Sequence, residues 1–390
     1  MKNFVYNIPT KLYFGKDQIK NLPDLLNLFG KRVLLTYGGG SVKRSGLYNT
    51  IIELLADYEI VELANIEVNP RVDSVRQGAT LCKEHQIDVI LAVGGGSVID
   101  ASKMIAAASK YDGDAWDLVK HPKRIEEVLP LIDILTLSAT GSEMNASAVI
   151  SNTITKEKLN VYNKKLYPHA SICDPTYTFS VPKNQTAAGT ADIMAHTIET
   201  YFSIEDDVYI QDKLCESILK TCIHYLPMVL QEPENYDARA NLMWASTLAQ
   251  NGIISFGKGG PWSSHHIEHI LSAYYDIPHA VGMAILIPRW MNYVLNQNTV
   301  KQFAVYAENV WGITQQSDIF KTARLGIRET YEFFSNSGLP LTLPEVGVKS
   351  NEHFSEIAEL ASPYLTKSYI SLSKDDIIRI LESCMNPFYN

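Results

Sequence analysis

Asp88–Ala108 reads DVILAVGGGSVIDASKMIAAA, and its two halves obey different rules. From Asp88 to Val93 the chain is an apolar, partly β-branched run, the pattern of a strand buried on both faces. Gly94, Gly95, Gly96 and Ser97 break the run, and an alanine-rich helix follows to about Ser109. Strand, glycine turn and helix in that order form the repeating unit of a parallel sheet with helices on both sides. The unit occurs once before. KRVLLTY at Lys31–Tyr37 ends in Gly38, Gly39, Gly40 and Ser41, and a helical pattern runs from about Gly46 to Tyr58. Ile60–Leu63 reads as another strand, Val72–Glu84 as a helix, and Leu129–Leu137 as a further apolar strand. The first part of the chain is therefore expected to be an α/β, Rossmann-like domain.

The two Gly-Gly-Gly-Ser turns carry chemistry as well as geometry. Each lies between the carboxyl end of a strand and the start of a helix, where free N–H groups and the helix dipole favour a phosphate. Neither matches G-x-G-x-x-G, and either one alone reads equally well as a tight turn. Two in one domain favour a dinucleotide. Asp100, one turn into the second helix, is placed either to cap it or to touch a cofactor hydroxyl. The strand at Leu129–Leu137 ends in Ser138-Ala139-Thr140-Gly141-Ser142-Glu143, again small hydroxyl residues and a glycine, with Asn145 and Lys158 downstream.

From about Lys183 the strand-like runs stop. Helix-period segments follow at roughly 184–203, 209–230, 236–255, 262–275, 282–296, 299–311, 317–336 and 374–385. The expected organisation is a dinucleotide-binding domain over 1–182 and an all-helical, metal-binding domain over 183–390.

The helical part holds SSHHIEHILSAYYDIPH at Ser263–His279, with four of the protein's ten histidines. His265 and His269 are four apart and share a helix face, while His266 points roughly 100° away. A helix ending near Asp276 leaves His279, after Pro278, on a turn that bends back. GTADIMAHTIE at Gly189–Glu199 places Asp192 and His196 four apart on another helix. One carboxylate and three imidazoles suit Fe(II), Zn(II) or Mn(II), and the absence of thiolates points away from a closed structural zinc site. The metalloprotease pattern H-E-x-x-H is not met, since His266 follows His265 and Glu268 lies on another face.

Composition narrows the partners. There are 34 basic and 43 acidic residues, a net charge of −9, which disfavours nucleic acid and anionic membranes. Five scattered cysteines without a C-x-x-C read as free thiols of a reducing compartment. No apolar run reaches the length of a membrane span or a signal peptide, so a cytoplasmic protein is expected.

Together these motifs resemble the iron-containing, or group III, alcohol dehydrogenases. The resemblance spans PTKLYFG, YGGGSVKRSG, AVGGGSVIDASK, LSATGSEMNASAV, CDPTYTFSVP, GTADIMAHTIE, PENYDARANLMWAS and HHIEHILSAYYDIPHAVGMAILIP. It implies the fold shared with dehydroquinate synthase and glycerol dehydrogenase, and most resembles the NADPH-dependent butanol dehydrogenase and aldehyde reductase branch. Carried over residue by residue, it implies Asp192, His196, His265 and His279 as ligands of one divalent metal, Fe(II) or Zn(II). It implies His269 as a non-ligand histidine beside the metal and a proton-relay candidate. It also implies Gly95, Gly96 and Ser97 as the pyrophosphate loop, and Thr136, Thr140, Ser142, Asn145 and Lys158 around the nicotinamide and its ribose. The loop Gly38–Ser41 would meet the adenosine ribose. Because it has Gly39 where NAD-preferring relatives often carry an aspartate, NADP(H) is expected over NAD(H). The implied reaction interconverts aldehydes and primary alcohols, in a homodimer. A dehydroquinate synthase-like lyase or a glycerol dehydrogenase-like polyol dehydrogenase are the alternatives on the same fold. A metal-dependent hydrolase and a non-catalytic sensor rank lower.

Overall fold

The computed structural model describes residues 1–205, 207–260 and 262–388. The chain divides into two compact units, one of Asn7–Val181 with Pro233–Asn251, the other of Met1–Tyr6, Pro182–Glu232 and the segment from Gly252 onward.

In the first unit eight strands occur: β1 (Lys11–Phe14), β2 (Arg32–Tyr37), β3 (Glu59–Leu63), β4 (Val89–Gly94), β5 (Leu131–Leu135), β6 (Ser147–Asn152), β7 (Glu157–Tyr162) and β8 (Ala170–Cys173). Six of them make one parallel sheet in the order β1-β8-β5-β4-β2-β3, while β6 and β7 form an antiparallel pair. Up to Val181 the helices of this unit are α1 (Leu22–Asn27), α2 (Ser41–Arg44), α3 (Leu47–Leu54), α4 (Val72–Glu84), α5 (Gly96–Ala108) and α6 (Ala115–Lys120). Successive strand residues feed opposite faces of the sheet, as the two-residue period requires. Val33, Leu35, Val89, Leu91, Ile132 and Ile134 pack with Leu22, Leu26 and Ile51 of α1 and α3. Leu34, Ile90, Ala92 and Leu131 pack with Val75, Ala79, Met104, Ile105 and Leu118 of α4, α5 and α6. Both faces are covered, which is why these strands read as apolar runs interrupted only by a few polar residues such as Thr36 and Asp133.

The order contains a reversal. From β2 the chain steps outward to β3, then returns across β2 to β4 and continues to β5 and β8. The switch point of the sheet therefore lies between β2 and β4. The two Gly-Gly-Gly-Ser turns follow those two strands, at the carboxyl ends where open α/β sheets bind ligands.

The second unit contains α7 (Lys183–Tyr201), α8 (Tyr209–Gln231), and, beyond a helix α9 (Tyr236–Gln250) that belongs to the first unit, α10 (Ser263–Tyr275), α11 (His279–Val294), α12 (Val300–Trp311), α13 (Ile319–Asn336), α14 (Phe354–Ala361) and α15 (Lys374–Ser383). Its core is aromatic, with Phe202 stacked on Phe303 at 4.2 Å and set edge-on to Trp290. The helix α7 is buried along almost its whole length after Thr186, including Asp192, His196 and Glu199. Two acids and a histidine inside a core helix need partners or a ligand to offset their desolvation.

Four features differ from the sequence-based expectation. A contiguous 183–390 domain is not what forms, because α9 packs with the α/β unit: Trp244 meets Phe14 edge-on at 6.0 Å, and Thr247 bonds Glu143 at 2.6 Å. Met1–Tyr6 conversely joins the helical unit, where Phe4 stacks on Phe256. The β6–β7 hairpin and α14 were not expected, although α14 places Phe354, Ile357, Ala358 and Ala361 at helical spacing. His279 is the first residue of α11 and not part of a turn. The bend lies just before it, with Asp276 in the left-handed region (φ 51°) and Pro278 preceding the helix at φ −56°. Residues 389–390, at the end of the expected second domain, lie outside the described ones.

Among the described residues no helix is long and apolar enough to cross a membrane.

A close helix contact offers a test of this packing. A Cβ on Gly78 of α4 would stand 2.5 Å from Ile105 Cδ1 of α5. Gly78→Ala is expected to cost about 1–3 kcal/mol through overpacking, offset in part by better helix propensity. Thermal unfolding of the variant should show a lower Tm, whereas an unchanged or raised Tm would mean that the α4–α5 contact is looser than described.

Candidate active site

Asp192 and His196 project from α7, His265 from α10, and His279 from the first turn of α11. One ligand atom from each of the four falls within 4.8 Å of the others. His279 Nε2 is 3.6 Å and His196 Nδ1 3.8 Å from Asp192 Oδ1, and the rings of His196 and His265 stack at 4.5 Å. All but His279 are buried.

Two further carboxylates fix the imidazoles. Glu199, one turn beyond His196, accepts the backbone N–H of Ser264 at 2.6 Å and of His265 at 3.2 Å, and also the Nδ1–H of His265. Glu268 accepts the Nδ1–H of His279. A histidine whose Nδ1 is held by a carboxylate presents Nε2 as a lone pair of fixed direction, the usual support of a metal ligand. Fully buried, His265 Nε2 and His196 Nδ1 find no hydrogen-bond partner among the described residues. Orphaned nitrogens beside a carboxylate are what a divalent cation would satisfy, so the donor set fits one. Burial, then the neighbouring His265 and His279, hold the pKa of His196 well below its ordinary value and keep its ring neutral. For His265 burial pushes down, but Glu199, Asp192 and Glu268 outweigh it and the net direction is up.

Neither glutamate was anticipated as part of the site. Glu199 sits seven residues after Asp192, so the helical period that paired Asp192 with His196 also puts it on the same side. Glu268 lies off the His265–His269 face, and only the return of the chain into α11 makes it a neighbour of His279. Gly282 permits the approach, since a Cβ there would be 2.8 Å from Glu268 Cγ. His269 lies beside the set, its ring 6.3 Å from His265 and 5.3 Å from His279. His266 faces elsewhere and stacks on Tyr364.

In the α/β unit the expected cofactor residues gather at the ends of three adjacent strands, β2, β4 and β5. Gly38–Ser41 follow β2. Gly39 is exposed, and a Cβ there would meet nothing within 4 Å. Gly94 ends β4, and Gly95, Gly96 and Ser97 open α5, where Ser97 donates to the Val68 carbonyl. Gly96 is required by packing, because a Cβ would collide with the Thr140 side chain. Thr136, after β5, is tied by its N–H to the Gly94 carbonyl at 2.9 Å. Lys158, on the β6–β7 hairpin, donates to Asn69 at 3.2 Å.

Asp100, Ser142 and Asn145 are joined by a residue that the sequence reading passed over. Lys103, wholly buried in α5, donates to Ser142 Oγ at 2.8 Å, Asn145 Oδ1 at 3.0 Å and the Ser147 carbonyl at 2.7 Å. Ser142 in turn donates to Asp100 at 2.5 Å, and Asp100 accepts the Val149 N–H at 2.8 Å. The signal was a lone lysine in the apolar face of an alanine-rich helix. Burial pushes Lys103 down to about 8 against the pull of Asp100, Asp133 and Glu143.

The chain matches the model described as iron-containing alcohol dehydrogenase over residues 9–175 and that of the C-terminal part of the same family over residues 186–385. It belongs to the iron-containing alcohol dehydrogenase family. Among relatives, it is 53% identical to the NADH-dependent butanol dehydrogenase A of Clostridium acetobutylicum, covering 89% of this chain and 90% of that one. It is 39% identical to the NADPH-dependent aldehyde reductase YqhD of Escherichia coli, over 89% and 90%. The crystal structure of a butanol dehydrogenase A from Thermotoga maritima superposes with a TM-score of 0.92 over 99% of both chains, at 36% identity. As the family implies, the fold is a parallel-sheet, Rossmann-like unit and a helical unit.

Two outcomes are expected of this geometry. Glu268→Gln and Gly282→Ala should each weaken divalent-metal binding about 10–100-fold by freeing the His279 ring. Competition against a chromogenic chelator reads this directly, and a Gly282→Ala protein with unchanged affinity would show that Glu268 is not held by that contact. The second outcome concerns pH. Its lowered pKa means that Lys103 loses its proton near 8, not in the ordinary lysine range. A neutral amine has two N–H groups for three acceptors, so one of Ser142, Asn145 or Ser147 is released as pH rises. KM for the coenzyme should climb severalfold above about pH 8, and in Lys103→Met it should be high and flat with pH. A wild-type KM independent of pH through that range would count against this role.

Proposed function

We propose that the chain reduces short aldehydes to primary alcohols with NAD(P)H, and runs the reverse, around one divalent cation held by Asp192, His196, His265 and His279. The observation that carries the reading is the convergence of four donors with two buried, unpartnered ring nitrogens, in a family of alcohol dehydrogenases. When bound, Fe(II) or Zn(II) polarises a carbonyl oxygen as a Lewis acid, and the reduced nicotinamide supplies the hydride. The protein's part is to orient and to move a proton. Glu199 and Glu268 hold His265 and His279 in one tautomer and direction. His269, half-buried beside His279, is placed to pass a proton to the developing alcohol oxygen. The glycine turns after β2 and β4 flank the sheet's switch point and offer backbone N–H groups to the dinucleotide phosphates. Lys103 holds Ser142 and Asn145, which together with Asp100, Thr136, Thr140 and Lys158 form the surface for the nicotinamide half.

For the coenzyme, relatives of both kinds exist, and the loop after β2 supports NADPH. Gly39 brings no carboxylate and has open space around it. The carboxylate that β3 brings beside β2, Glu62, is already bonded by Tyr37 at 2.5 Å and Tyr48 at 2.6 Å, with Lys43 at 3.6 Å. We further propose a homodimer in the cytoplasm. Exposed Phe4, Val5 and Tyr6 support a self-association surface, and molar mass in solution checks it.

The reaction is tested by mixing the metal-loaded protein with butanal and NADPH or NADH and following the nicotinamide absorbance band. Chelation should abolish turnover, and Fe(II) or Zn(II) should restore it. His265→Ala and His279→Ala should lose metal and activity together, whereas His269→Ala should keep its metal and turn over more slowly with an altered pH profile. Full metal occupancy in His265→Ala would move the site elsewhere. Because nothing crowds Gly39, Gly39→Asp should fold normally and shift kcat/KM at least tenfold towards NADH, about 1.4 kcal/mol. An unchanged coenzyme ratio would show that this loop does not choose.

A further inference from the structure

We infer that Trp262 is a specificity-determining residue, an apolar wall that favours plain alkyl aldehydes over hydroxylated ones. The inference rests on the aldehyde-reductase reading above and adds to it the side of the substrate that this chain recognises.

The indole stands edge-on to two of the clustered imidazoles, 5.2 Å from the His265 ring and 6.0 Å from that of His196. His269 stands beside His265 and His279. The donor set is thus bordered by the His269 imidazole on its His279 side and by a large apolar ring on its His196 side. A carbonyl compound brought to the set meets both. Its oxygen needs the side that can exchange a proton, which leaves its carbon chain for the indole.

Two backbone features show that the ring is held in place. Trp262 occupies the left-handed region, φ 51° and ψ 36°, which a bulky residue adopts only where its surroundings impose it. Gly260 lies under the indole, where a Cβ would be 3.0 Å from Cε2 and 3.1 Å from Nε1. The two faces of the ring are apolar and unable to replace the water lost by a substrate hydroxyl.

The experiment compares the metal-loaded wild type with Trp262→Phe and Trp262→Ala on butanal and 3-hydroxybutanal, with metal content measured for each. Trp262→Ala should lower the butanal to 3-hydroxybutanal ratio of kcat/KM about tenfold, through KM for butanal more than kcat, with Trp262→Phe in between. A second readout needs no turnover. Titrating Co(II) into the metal-free protein should quench indole fluorescence, and Trp262→Phe should remove most of that quenching although four other tryptophans remain. An unchanged aldehyde ratio in a fully metallated Trp262→Ala overturns the wall. Should that variant lose metal, Trp262→Phe decides on the same criterion. Undiminished quenching in Trp262→Phe would place the indole away from the site. A wild type that binds Co(II) with quenching yet reduces neither aldehyde would instead defeat the reading on which the inference stands.

Discussion

The carboxylate of Glu199 is the contact on which the helical unit turns. It is completely buried, and an isolated carboxylate there would be costly. It is matched by two backbone N–H groups in the first turn of α10, where unpaired donors and the helix dipole favour negative charge. The third bond, from His265, makes one group serve both architecture and site. The bonds that set where α10 begins against α7 also decide which nitrogen of His265 faces Asp192 and His196. Loss of the carboxylate would unsettle helix docking and ligand direction together.

A comparable arrangement, of opposite sign, stands in the α/β unit. Lys103 is a buried cation whose three protons go to the loop after β5 and to the start of the hairpin. Nearby, burial raises the pKa of both Asp133 and Glu143; Asp133 accepts from Ser171 at 2.6 Å and Glu143 from Thr247. In both units, then, buried charge is found where a loop or helix end must be held in one position. Apolar packing alone fixes such segments poorly, because it is non-directional.

What could be read from sequence follows from which signals are local. The parallel sheet was legible because a strand covered on both faces is apolar at most positions, as β2, β4 and β5 are apart from Arg32, Thr36 and Asp133. Asp192 with His196, and His265 with His269, were legible as pairs because four residues make about one helical turn. Their convergence with His279 was read from the donor types and the turn at Pro278 together with family resemblance, since no spacing within one helix encodes the meeting of three helices. Glu268 shows the limit well. Its place on a helical wheel sets it apart from His265, and the contact that matters comes from α11 across Gly282. The position of α9 was hidden for a related reason. An amphipathic helix advertises an apolar face but not the core that will cover it. The strands β6 and β7 include Ser, Asn, Glu and Lys, and their pairing depends on each other more than on either run.

The interleaving of the chain has a consequence for how the protein is made. Residues change character near Lys183, yet the α/β unit is incomplete there, because Glu143 lacks Thr247 until α9 has been added. A ribosome must therefore deliver about 250 residues, including all of α7 and α8, before the first unit can close. The helical unit waits longer for its core but already owns its first six residues. The first unit cannot close until part of the helical unit has been made, so the gene offers no clean seam for exchange by recombination at the point where its sequence changes most.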